Sequence, residues 1–199
     1  MRRFSFRPAL DIRGRQFKGL RGFSGKPLHP PLTDVTIGAY FIGPLLGLLS
    51  FLFRNQEWSD DLFRAGETVL LLGVISSVAT IVTGYADWFD TQAGTQIRRM
   101  ANAHALTMLT ATGIVLANVA YRYLGDAPDE PSTVLAALDV LILLLITLGG
   151  TIGGSMTYDW GFNVETSTDS PVWHPSDRDV IHPHQAEGAA EDAAASGGG

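Results

Sequence analysis

Residues 133–155, TVLAALDVLILLLITLGGTIGGS, decide the fold. They carry one charge, Asp139, in a run of leucine, isoleucine, valine and glycine. Inside hydrocarbon no water satisfies the backbone, so a spanning segment closes its own hydrogen bonds as a helix. Roughly 17–25 mostly apolar residues suffice to cross. Three more runs share this character, residues 36–53, 65–86 and 102–124. The expected fold is therefore all-α, an integral membrane bundle of four transmembrane helices over residues 34–160. A basic juxtamembrane arm, residues 1–33, precedes it, and a polar tail, residues 161–199, follows.

Composition agrees with this division. Of 199 residues 46% are hydrophobic and 17% charged, against about 25% charged in soluble domains. The arm holds Arg2, Arg3, Arg7, Arg13, Arg15, Lys18, Arg21 and Lys26 against Asp11 alone, interleaved with Phe4, Phe6, Phe17 and Phe23. Such a segment suits anionic lipid headgroups, with rings in the interface. It carries no nucleic-acid motif, so no nucleic-acid partner is expected. The tail is acidic, has Arg178 as its one basic residue, and ends in EGAAEDAAASGGG. It holds too little apolar area to offset ordering, and disorder is expected. No apolar core follows the opening MRRFSF, so a cleaved leader is not expected. The chain lacks cysteine, which excludes disulfides and thiolate or iron–sulfur sites within it. No repeat of solenoid period is visible.

Basic residues near span ends set orientation. The arm, Arg98, Arg99 and Arg178 fall on one side, and only Arg54, Arg64 and Arg122 on the other. Both termini are expected in the cytoplasm. Small residues allow close helix contacts where lipid supplies no hydrophobic drive. Gly43 with Gly47, Gly149 with Gly153, and Gly150 with Gly154 have that spacing. Near the opposite face lie Glu67, Arg122 and Asp139. A lone acid in the membrane needs a partner, and Arg122 and Asp139 sit on consecutive antiparallel spans, so an ion pair is expected.

Connectivity brings the start of span one, the end of span two, the start of span three and the end of span four to one face. That inner face collects His29, Thr33 and Asp34, then Thr83, Asp87, Trp88 and Asp90, then Asn102 and His104, then Gly153, Gly154 and Asp159. Three chemistries fit. A polar network ties the helix ends together. Haem b takes His29 and His104 as axial ligands. A divalent metal takes His and Asp groups. The network is preferred, because His29 stands ahead of the expected first span and a haem would lie at the interface. In the tail, His174, His182 and His184 match no standard metal spacing. Hydrolase, phosphate-loop and nucleotide motifs are absent, so no catalytic residue is assigned.

RGRQFKGLRGFSGKPLHPPLTDVTIGAYF, TGYADWFDT, RRMANAHALTM and LGGTIGGSMTYDWGFNV together cover the matching ends of all four spans, over roughly residues 13–165. In these stretches the chain resembles the bacterial membrane family known as domain of unknown function 2231. The resemblance implies a compact four-helix membrane domain in the bacterial cytoplasmic membrane, with His29, Asp34, Asp87, Trp88 and His104 as signature polar positions. The family often has proline where Thr36 stands here. Some relatives are joined to Rieske-type electron-transfer domains, so a membrane or electron-transfer protein partner is one implied association.

Overall fold

A computed structural model of the chain describes residues 12–124 and 130–164. Four helices make up the domain: α1 (His29–Leu52), α2 (Ser59–Phe89), α3 (Gln96–Leu124) and α4 (Thr133–Tyr158). All four are long and apolar enough to cross a membrane. Among the described residues there is no strand. Two isolated bridges, Phe17 with Phe23 and Phe23 with Lys26, fold the end of the arm around a 3-10 turn at Gly19–Arg21. The expected tail from residue 165 on, and the first eleven residues of the arm, lie outside the described residues.

The helices run past the apolar runs. α1 begins at His29 rather than near Thr36, with Leu28 as its N-cap and no side-chain cap. Thr33 and Asp34 therefore stand inside the helix and do not punctuate its start. Pro30 and Pro31 occupy the first turn, where backbone N–H groups have no acceptor within the helix and none is lost. α4 has a true cap: Ser132 Oγ accepts from the Leu135 N–H at 3.3 Å.

α1 packs mainly on α2 and α4, and α3 on α4, while the contact of α2 with α3 is smaller. The contacts are close because the facing residues are small. A Cβ on Gly43 would sit 2.7 Å from the Leu70 side chain, and one on Gly66 would sit 2.8 Å from the Gly43 carbonyl. A Cβ on Gly73 would press the Tyr40 ring at 2.8 Å. The core is Tyr40, Leu70, Ala111, Val115, Ile142 and Ile146. Large apolar side chains such as Leu72, Ile75, Val78 and Leu144 face outward, as lipid-facing positions do.

Burial reveals a relation between the α1–α2 and α3–α4 hairpins. Shifting α1 by 75 positions, from 29 to 104, superposes Thr36 on Ala111, Tyr40 on Val115, Gly43 on Asn118 and Gly47 on Arg122, all of them buried at the side chain or, for glycine, whole. Shifting α2 by 69, from 80 to 149, superposes Gly66 on Leu135, Leu70 on Asp139, Gly73 on Ile142, Ser77 on Ile146 and Asp87 on Met156, again all buried. The two hairpins thus share a spacing of buried positions, although the residues at these positions differ.

Candidate functional site: a paired-histidine end and a buried ion cluster

His29, the first residue of α1, reaches across to α2. Its Nδ1 lies 3.0 Å from the Thr80 carbonyl oxygen. A carbonyl only accepts, so the imidazole proton sits on Nδ1 and Nε2 carries the lone pair. Thr83 Oγ1 approaches Nδ1 at 3.5 Å. The Thr33 hydroxyl lies 3.4 Å from Nε2 and donates to the His29 carbonyl at 2.9 Å. Hydroxyls continue this seam. Thr36 Oγ1 is 2.8 Å from Thr80 Oγ1 and 3.0 Å from Ser76 Oγ. Thr80 also donates to the Leu32 carbonyl at 3.1 Å.

His104 makes the equivalent contact in the other hairpin, with Nδ1 2.9 Å from the Gly149 carbonyl of α4. Under the two shifts, His29 maps to His104 and Thr80 to Gly149. The two rings come together at the centre of the bundle end, with centroids 6.5 Å apart and planes at 85°.

The other inner-face residues form a second layer. Asp87 is 5% exposed, and its Oδ1 has no hydrogen-bond partner among the described residues. Trp88 Nε1 donates to Asn102 Oδ1 at 2.7 Å, joining α2 to α3. Arg98 lies 3.9 Å over the Trp88 ring and donates to the Trp88 carbonyl at 2.6 Å. Asp90 pairs with Arg21 of the 3-10 turn, which fixes the arm to α2. Asp34 is exposed on α1 and does not join this layer.

At the opposite end, Arg122 NH2 and Asp139 Oδ2 stand 3.7 Å apart. Arg122 NH1 faces Glu67 Oε1, also at 3.7 Å. Asn118 bridges the pair, donating to Asp139 Oδ1 at 3.1 Å and accepting from Arg122 Nε at 2.7 Å. The guanidinium lies 4.5 Å over the Phe63 ring. Gly47 leaves room for the carboxylate, since a Cβ there would run into Asp139 Oδ2.

Residues 25–166, which contain all four helices and both ends, match the family of predicted membrane proteins named domain of unknown function 2231. The chain belongs to that family. No curated protein and no solved structure matches it. As a member of the 2231 family it is an integral membrane protein with four candidate transmembrane helices. Sequence reasoning missed three elements of this 2231 domain. Thr80 and Gly149 act through backbone carbonyls, which leave no side-chain signal. Arg21 reaches Asp90 through a turn whose path only the fold supplies. Asn118 had a signal: it stands one turn before Arg122 in an apolar run, and an amide there needs a partner.

Proposed function

We propose that the protein is a non-catalytic component of the bacterial cytoplasmic membrane, a partner subunit with both termini in the cytoplasm. The observation that carries this reading is how the polar side chains at the histidine end are engaged. His29 holds α2, His104 holds α4, Trp88 holds Asn102 of α3, and Arg21 holds Asp90. Contacts between neighbouring helix ends form a latch that ties this end of the bundle together. The basic arm lies against anionic headgroups, and the exposed carboxylate of Asp34 faces a membrane or electron-transfer partner. The Lys/Arg bias of the connecting segments supports the orientation.

One cysteine tests both parts, because the chain has none of its own. Asp34→Cys is probed with a membrane-impermeant maleimide. Labelling is expected from the cytoplasmic side only, and more slowly in native membranes than in purified protein. Labelling from the other side overturns the orientation. Equal rates in membranes and in detergent overturn the docked partner.

A further inference from the structure

We propose that His29 and His104 together bind one copper(I) ion, with Met108 as a third donor. This does not depend on the partner-subunit reading, since the latch uses Nδ1 of each ring and the ion would use Nε2. Histidines that ligate metals almost always give their other ring N–H to a carbonyl, carboxylate or water, which fixes the tautomer and the ring plane. Both rings have that arrangement, at 3.0 Å on Thr80 and 2.9 Å on Gly149.

Spacing agrees. Metal–imidazole bonds of about 2.0 Å, each extended by roughly 1 Å to the ring centre, separate two centroids by about 6 Å when the two bonds lie close to one line. The observed separation is 6.5 Å. Both hairpins also keep space for the ring with glycine. A Cβ on Gly84 would lie 2.6 Å from His29 Cε1, and a Cβ on Gly153 would lie 3.0 Å from His104 Cε1. Gly84 and Gly153 are themselves related by the shift of 69 positions that maps Thr80 to Gly149. One histidine, one anchoring carbonyl and one glycine thus recur in each half, and the halves meet where the rings face.

The donor set selects the ion. Among the described residues no group of three or more His, Cys, Asp or Glu side chains gathers to hold a metal. A structural zinc ion, which takes four such protein ligands, is therefore not served. Met108 stands one turn beyond His104, and its Sδ lies against Gly149, where a Cβ would strike it. Gly149 is the residue that anchors the His104 ring. Thioether and imidazole donors suit copper(I).

The test is anaerobic titration of the purified full-length chain with copper(I) against a chromophoric copper(I) chelator. The background variant carries His174→Ala, His182→Ala and His184→Ala, so that tail histidines do not compete. One ion per chain is expected. His29→Gln and His104→Gln are expected to weaken binding by at least about 100-fold, above the range for losing an outer-shell partner, and Met108→Leu by on the order of tenfold. Thermal unfolding in detergent shows which variants fold. If a histidine variant does not, Met108→Leu, which keeps side-chain volume, carries the test through X-ray absorption of the bound copper, with loss of one sulfur neighbour expected. Absence of competitive binding, or binding untouched by all three substitutions, overturns the proposal. A Soret band in the purified protein that disappears in His104→Gln assigns the pair to haem iron and overturns it as well.

Discussion

At the scale of single residues, the Arg122–Asp139 cluster decides how much buried charge this bundle holds. Their side chains are 2% and 1% exposed. Removing one member of a buried pair leaves an uncompensated charge and costs about 3–5 kcal/mol, whereas replacing both with apolar groups is often neutral or stabilising. Asp139→Leu is therefore expected to lower stability by about that amount, and Asp139→Leu with Arg122→Leu to recover most of it. Denaturant unfolding in detergent measures both, and equal loss in the two variants contradicts the pairing. The approach of Arg122 to Asp139 was legible in sequence, because a short turn sets their spans side by side. The role of Gly47 was not. Its spacing from Gly43 reads as a helix contact, yet the space it leaves is filled by the Asp139 carboxylate, a role that depends on a third helix.

At the scale of elements, the spans were legible because apolar length alone specifies them, but their ends were not. Thr33 and Asp34 look like capping residues, and the apolar run begins only after them. The helix nevertheless starts at His29, since prolines in a first turn forgo no hydrogen bond. That shift matters for the site: it places His29 on the helix that faces Thr80. The glycines opposite the rings then become element-level constraints. Gly84→Ala and Gly153→Ala each force an imidazole against its neighbours, and overpacking of this kind costs about 1–3 kcal/mol. Gly150, one residue from Gly149, has nothing within 4 Å of a Cβ position. Gly150→Ala is expected to leave the unfolding midpoint unchanged while the other two lower it. A uniform response of all three would mean that helix propensity, not ring contact, governs these positions.

At the scale of the whole molecule, the paired-hairpin pattern could not be read from the sequence, because the halves share burial more than identity, with His29 and His104 and Gly84 and Gly153 as exceptions. Leu70 corresponds to Asp139, and Tyr40 to Val115. In lipid, helices associate by close packing and hydrogen bonds rather than by hydrophobic drive, so what must recur is the contour of the contact and the place of a polar latch. The design also says where the chain is dispensable. α1 packs on α4 more broadly than α2 packs on α3, to which it is joined by the turn from Asp90 to Thr95. Every helix of both hairpins is long and apolar enough to cross a membrane. A chain cut between Gly94 and Thr95, with residues 1–94 tagged and residues 95–199 coexpressed, is expected to co-purify from detergent in equal amounts. The interface that remains is the α1–α4 contact and the smaller α2–α3 contact, with the facing histidines of α1 and α3 at one end and the Asp139 carboxylate seated against Gly47 at the other. Introducing Gly47→Leu into the tagged half drives a side chain into that carboxylate and is expected to abolish co-purification while leaving both halves in the membrane fraction. If the uncut chain folds and the halves do not associate, the turn is what holds the hairpins together, and the bundle is not an assembly of two self-sufficient units.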